Sequence, residues 1–449
     1  MGKPISAQTN TLLRHLTLCG LTASESRQIV NDLKKWYQSS GPQWTVSRLK
    51  DLKTSLLQQY AGNPDHFPEW FSYKIKNGVK VPKGPWSRIY SVGLKPKGLV
   101  KALSAMMVYT GIRKEPTSDD LKEIRERISS PASERVKRNI QYLIDTGKVE
   151  LLGIHIPRHK RNFNIVGFSS SKPPSLFREG YGFSFLDGLY CPHVASYFEN
   201  GFDMPSSFAL PPPDDDLAAM SLGRIVTISE QGAKLRTVAV PKASVQCALS
   251  SMNNDLQLLL KSLETDCTFD QDKGPQFAYK KLEEGINIHS VDLSSATDRF
   301  PLQLQLYVLK SLGYSGSNYK IMESLPESIW MMDNQPISYG VGQPMGLIPS
   351  FALFALTHNV ILNNICYPKY DPNDTFRVLG DDVIIANDEV AITYKKVLEA
   401  LDVPISHSKS VESKLLAEFA GKVITTEGII TPVKVPKKSI DFNFINYIK

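Results

Sequence analysis

The stretch TFRVLGDDVIIA, residues 375–386, decides the fold. An apolar run from Phe376 to Leu379 leads into Gly380-Asp381-Asp382, and a second run from Val383 to Ala386 leads away. Short apolar runs on both sides of a Gly-containing pair predict a β-hairpin, here with two adjacent acids at its tip. Gly380 permits a turn that an ordinary side chain would strain. Two carboxylates at a tight turn between buried strands repel one another, and a divalent cation would relieve that repulsion. Read alone, the pattern also describes a plain Asp-rich turn.

Working outward, three upstream segments carry related chemistry. In INIHSVDLSSATDRF, residues 286–300, Ile286, Ile288 and Val291 predict a strand that runs into Asp292, with Asp298 following. An acid at a strand end can reach a metal from the rim of a sheet. A helix N-cap at Ser294, Ser295 or Asp298 is the plainer reading. In GVGQPMGLIPSFALFALTHN, residues 340–359, Gly340, Gly342 and Gly346 form a loop, and Ser350 and Phe351 open an apolar helix. Such a loop can approach a nucleic-acid backbone closely, or simply lead into a core helix. In GRIVTISEQGAKLRTVAVP, residues 223–241, Lys234 and Arg236 alternate beyond a turn at Gly232. In a strand they share one face, which suits a triphosphate or an ordinary solvent-facing edge.

The rest of the chain sets bounds. Its 449 residues allow two to four domains, or one large enzyme whose lobes share cores. Apolar residues at 42% and charged residues at 22% match soluble globular proteins, so a buried core, not disorder, is the default reading. The formal charge of +7 permits a polyanionic partner without demanding one. Five scattered cysteines with no CxxC pair exclude a disulfide framework and suit a reducing compartment. Cys191 and His193 stand close together, but no second pair sits at zinc spacing. No apolar run approaches the roughly 20 residues that span a bilayer. Gly2 with Ser6 fits the short myristoylation pattern, and no secretory signal or transit peptide is supported.

Residues 10–60 carry helical spacing, and 118–147 predict an amphipathic helical stretch broken at Pro131. Between them, residues 69–98 interleave Lys74, Lys76, Lys80, Lys83, Arg88, Lys95 and Lys97 with Trp70, Tyr73, Trp86 and Tyr90. That mixture suits a phosphate backbone and stacked bases, or a solvated face over core aromatics. Arg158 to Arg161 form a short basic run, and PPPDDD at 211–216 is the clearest linker. Beyond the linker, short β-like runs alternate with helical ones, predicting a mixed α+β core.

Each segment is ambiguous singly, and their order decides. They resemble motifs F, A, B and C of viral RNA-dependent RNA polymerases, in that order. DLSSATDRFP, GQPMG with a Ser four residues on and then LTHN, and VLGDD closely resemble the mitoviruses, relatives of narnaviruses, ourmia-like viruses and leviviruses. SGPQWTVSRLKDLK, residues 40–53, is similar to an upstream segment of such polymerases. The resemblance covers about residues 40–435 and implies an α+β right-hand polymerase with palm and fingers and a small or incomplete thumb. The implied boundaries are an N-terminal helical and basic region at 1–115, fingers at 116–285, a palm at 286–425 with a fingers insertion near 301–340, and a tail or thumb remnant at 426–449.

The resemblance further implies that Asp292 and Asp381, with Asp382 assisting, hold two Mg²⁺ or Mn²⁺ ions. Lys234 and Arg236 would grip the incoming triphosphate, and Asp298 would sense the ribose 2′-hydroxyl. Gly346 and Ser350 would position template and nucleotide. Lys409 would protonate pyrophosphate, and EFAGKVI at 418–424 would support the primer end. The partners would be an RNA template, its product and nucleoside triphosphates, in a mitochondrion or, as in relatives, the cytoplasm. Two departures stand out. Where many relatives place an Asn to pair with the sugar-sensing Asp, this chain has Phe354, and the nearest Asn is Asn359. Little chain follows residue 424. The alternatives are a reverse transcriptase, which usually shows an aromatic-x-Asp-Asp turn rather than Leu379-Gly380, or an inactive RNA-binding replication factor.

Overall fold

The leucine spacing of the N-terminal region folds as two helices, α1 (Thr9–Leu18) and α2 (Ala23–Tyr60). A computed structural model of the chain describes residues 9–152, 193–194, 217–406 and 410–436. Gly2, Ser6, residues 158–161, Cys191, the 211–216 linker and Lys409 lie outside the described residues. Thr22 and Glu25 close a capping box that starts α2, and Gly41 (φ 80°) with Pro42 breaks the helix in its middle. Trp36 and Trp44, on either side of the break, meet edge to face at 5.9 Å. Trp70 completes the cluster, and the Arg48 guanidinium lies 5.1 Å from the ring centres of both Trp44 and Trp70.

A hairpin of β1 (Tyr73–Lys76) and β2 (Val79–Pro82) follows, then α3 (Ser87–Gly93) and α4 (Pro96–Met106). Trp86, Ile89 and Tyr90 turn into the core of this lobe, so two of the four aromatics read as base-stacking candidates are core residues instead. The buried Tyr90 hydroxyl is satisfied by Ser55 Oγ at 2.8 Å and by donation to Gln59 Oε1 at 2.9 Å. The same core takes in Val411, Leu416, Val423 and Val435, so the N-terminal lobe packs against segments from the other end of the chain.

The amphipathic stretch forms α5 (Ser118–Ser129) and α6 (Glu134–Asp145), separated around Pro131 as its sequence predicts. Next come β3 (Gly223–Glu230), β4 (Lys234–Pro241), α7 (Ala243–Ser262) and α8 (Lys273–Glu283). The strand expected before Asp292 is β5 (Ile288–Asp292); it is followed by the short α9 (Ala296–Arg299) and by α10 (Leu302–Ser311). The short strands β6 (Trp330–Met332) and β7 (Gln335–Ile337) return to the β3–β4 hairpin in a sheet of order β4-β3-β6-β7.

The apolar helix expected after the Gly-rich loop is α11 (Ser350–Cys366), and the acid-tipped hairpin is β8 (Phe376–Leu379) with β9 (Asp382–Ile385). Every residue of α11 from Ala352 to Asn363 is buried. A helix apolar on all sides needs neighbours all round, and α7, α10 and α12 (Asp388–Ala400) supply them. With β10 (Val411–Ser413), the central sheet has order β10-β5-β9-β8 and is antiparallel throughout. A last sheet joins β11 (Leu416–Phe419), β12 (Lys422–Thr425) and β13 (Gly428–Ile430). Its first turn, Ala420-Gly421, has positive φ at both residues, as a two-residue type I′ hairpin requires. Among the described residues no helix is long and apolar enough to cross a membrane.

Candidate active site

The β8–β9 register pairs Leu379 with Asp382, which leaves Gly380 and Asp381 as the two turn residues. Gly380 has φ 59°, so the turn geometry favours glycine, and a Cβ there would also press the exposed Phe351 ring aside at 2.8 Å. The β5–β9 register sets Asp292 directly opposite Asp382. Opposed residues of an antiparallel pair share a face of the sheet. The three predicted aspartates therefore meet at one rim, with Asp381 exposed and Asp292 and Asp382 half-buried.

Beneath the turn lies a residue that sequence reasoning quoted but gave no role. His358 of α11 is fully buried, its Nδ1 2.9 Å from the Gly380 carbonyl and its Nε2 against the Tyr394 hydroxyl of α12. A carbonyl only accepts, so Nδ1 carries the proton, and Nε2 then accepts from Tyr394. Burial lowers the His358 pKa to about 4, with the Gly380 bond opposing it, so the ring stays neutral near pH 7. Burial also raises the Tyr394 hydroxyl well above its ordinary value, with the charge of Asp381 adding to the effect.

Asp298 sits on α9, buried, and its carboxylate accepts from Arg127 Nε of α5 at 3.0 Å. Burial raises its pKa and Arg127 opposes that rise. Asp298 is thus paired with Arg127 rather than with an Asn of α11. Asn359 is engaged elsewhere, accepting from Thr265 and donating to Asp266, and Phe354 packs edge to face on Phe300 at 4.8 Å.

The Gly-rich loop ties these elements together. Gly342 N donates to Asp298 O at 3.1 Å, and Gln343 N to Thr297 O at 2.9 Å. Gly346 (φ 113°) lies so close to β4 that a Cβ would stand 2.2 Å from Ala239 O. Gln246 of α7 pins the loop from the side, donating to Gly346 O and accepting from Ile348 N, each at 2.8 Å. Ser350 opens α11 as predicted; it is buried, and its Oγ has no hydrogen-bond partner among the described residues. Lys234 and Arg236 occupy alternate positions of β4, with Lys234 exposed and Arg236 Nε paired to Glu230 at 2.9 Å.

Two further clusters border the central sheet. Lys53 of α2 reaches β11 and pairs with Glu418 at 2.7 Å, while Glu418 N donates to Ser290 Oγ of β5. Burial works against the Lys53 charge, yet Glu418, Tyr109 and Asp292 together raise its pKa. At the other end of β5 from Asp292, His289, Asp388 and Glu412 bring potential metal-ligand atoms within 4.8 Å of one another. The His289 Nε2 is bonded to Asp388 at 2.7 Å, while Glu412 lies 3.1 Å from Nδ1 without hydrogen-bond geometry. Both ring nitrogens thus face a carboxylate, which fits a clamp between β5, β10 and the start of α12 better than a ring offering one lone pair to an ion.

Comparison with known proteins agrees with this geometry. Residues 183–447 match the family model of the mitovirus RNA-dependent RNA polymerase. The RNA-directed RNA polymerase of Cryphonectria parasitica mitovirus 1 is 36% identical over 208 residues, 45% of this chain and 25% of that protein. An uncharacterized mitochondrial protein of Arabidopsis thaliana is 33% identical over 174 residues, 36% of this chain and 68% of its own. Among solved structures, one described as an RdRp complex aligns with TM-score 0.61 at 10% identity, over 94% of this chain and 44% of that one. The BmCPV RNA-dependent RNA polymerase at elongation state aligns with TM-score 0.59 at 10% identity, over 98% and 45%. At such identities the likeness is one of fold, the mixed α+β right hand of viral polymerases.

Proposed function

Because the chain belongs to the mitovirus RNA-dependent RNA polymerase family, we propose that it joins nucleotides to a growing RNA strand under the direction of an RNA template, for replication of a viral genome. The observation that carries this reading is the rim itself: Asp292 lies opposite Asp382, with Asp381 in the turn beside them. Hard carboxylate oxygens gathered at one rim fit Mg²⁺ or Mn²⁺, which Asp292 and Asp381 would hold with Asp382 assisting. Such ions, when bound, supply charge neutralisation at the attacking 3′-hydroxyl and at the triphosphate. The chain's own groups orient the reactants. Lys234 and Arg236 meet the triphosphate from β4, and Asp298, held by Arg127, faces the ribose. Gly346 and Ser350 shape the floor under template and nucleotide. Lys409, outside the described residues, is assigned by family resemblance to proton delivery onto pyrophosphate.

RNA template, RNA product and nucleoside triphosphates are the proposed ligands. The mitochondrion is the proposed compartment, supported by the mitovirus relative and by the plant relatives' description as mitochondrial. Primed RNA elongation in Mg²⁺ by wild type and Asp381→Ala tests the reading. Removing one preorganised charge should slow elongation by about two to three orders of magnitude. Equal elongation by both proteins overturns the assignment of the rim. Incorporation of dNTPs alone on an RNA template would make the chain a reverse transcriptase, and RNA binding without elongation by either would make it a replication factor.

A further inference from the structure

The cations of the basic stretch do not scatter over the surface. Lys76 at the end of β1, Arg88 and Ser91 on α3, Lys95 before α4, and Lys97 and Lys101 on α4 line one recess of about 360 Å³. Among the described residues no acid and no aromatic ring lines it. Arg88 is already occupied, donating to Glu25 at 2.6 Å and to Gly20 O at 2.7 Å. The four lysines are exposed, and none has an ion-pair partner among the described residues.

Local structure argues that this charge is not there for stability. The helix α4 has eleven residues, follows Lys95 as its N-cap without a side-chain cap bond, and has no acid in its first turn. Its free N–H groups already make that end positive, so Lys95 and Lys97 repel the helix they begin. Like charges crowded into a concavity repel one another as well, and the walls sharpen the field for an anion. Removing these lysines should therefore leave the lobe as stable as before or more so, and what favours them is a ligand.

We propose that this recess is a second RNA contact, made of residues distinct from the aspartate rim, and that it holds phosphate groups rather than bases. No ring among the described residues lines it, so stacking is not its means of recognition and it is indifferent to sequence. The choice of RNA over other polyanions rests on the polymerase reading, while the recess itself does not. The phosphates come either from the body of a strand or from a 5′-triphosphate end, whose chemistry the recess would accept alike.

The test is equilibrium binding by fluorescence anisotropy, without metal or nucleotide, so that it is independent of catalysis. Lys95→Ala/Lys97→Ala/Lys101→Ala is compared with wild type and with Lys122→Ala/Lys280→Ala/Lys396→Ala, which removes equal charge from exposed positions elsewhere. Two single-stranded RNAs of one sequence serve as probes, one with a 5′-triphosphate and one with a 5′-hydroxyl. The recess variant should bind at least about tenfold more weakly, with a log-log salt slope shallower by about two, and the control variant should bind as wild type does. A loss confined to triphosphate RNA assigns the recess to strand ends, and an equal loss assigns it to the backbone. Its melting temperature should equal or exceed that of wild type, which separates lost contact from lost fold. The proposal is overturned if the recess variant binds RNA like wild type or no worse than the control. It is also overturned if RNA binding persists while adhesion to phosphatidylcholine–cardiolipin vesicles is lost.

Discussion

At the scale of single residues, the catalytic proposal depends on a turn whose strength comes from below. Gly380 and the two acids are visible in the chain, but a two-residue turn carrying adjacent negative charges has little to hold it. His358 provides the hold, one ring nitrogen donating to Gly380 O and the other accepting from Tyr394. Replacing it by leucine keeps the volume roughly filled but leaves a buried carbonyl and a buried hydroxyl unpaired. Each orphan costs roughly 1–3 kcal/mol. His358→Leu should lower the melting temperature by several degrees and reduce kcat for primed elongation more than it changes KM for nucleotide. Calorimetry and steady-state kinetics check the two effects. Wild-type turnover in a destabilised protein would show that the turn is set without the imidazole.

At the scale of elements, what could be read in the sequence followed from how local the signal was. The strand into Asp292, the β8–β9 hairpin, the helices around Pro131 and the apolar α11 each carry their own period and punctuation. Trp86, Ile89, Tyr90 and Gly93 also stand at i, i+3, i+4 and i+7, the stripe of a buried helix face, which the surrounding lysines obscured. Contacts between distant elements leave no such trace. Arg127 is 171 residues from the Asp298 it meets, and Lys53 is 365 from Glu418. In sequence Arg127 is one more charge on an amphipathic helix. Its tie from α5 to α9 predicts a consequence for sugar selection. Arg127→Met strands a buried carboxylate, which costs roughly 3 kcal/mol and favours the protonated, mispositioned acid. Preference for NTP over dNTP in single-nucleotide incorporation should fall by about tenfold, equivalent to ~1.4 kcal/mol of lost discrimination. Arg127→Lys, which keeps the charge, should recover part of it. Unchanged preference in the methionine variant would remove Asp298 from sugar sensing.

For the whole molecule, the N-terminal lobe meets the strands after residue 410: Lys53 reaches β11 of the last sheet, and the N-terminal core takes in Val411 of the central sheet with Leu416 and Val423 of the last. Each half also contains a buried neutral histidine. His15 in α1 bonds the Ser104 carbonyl of α4 at 2.7 Å, and His358 holds the β8–β9 turn. Burial is the main cause that lowers both pKa values from 6.5 to about 4, against a backbone bond that opposes it. The folded state thus binds fewer protons than the unfolded state between those values. Stability from both groups is present above pH 6.5 and is lost as pH falls toward 4, by about 3 kcal/mol for each histidine. At the lower end of the range carboxyls act in both senses: the raised Asp298 and Asp266 gain relative stability as pH falls toward 3.8, whereas the lowered Glu25, Asp120 and Asp388 lose it. Denaturant unfolding followed between pH 7 and 4.5 should show stability falling steadily across that range. In His15→Gln, which keeps a donor for Ser104 O but does not titrate, the fall should be close to half as steep. If His15→Gln follows the wild-type curve, the N-terminal lobe opens without protonating its histidine, and the two lobes do not unfold as one unit.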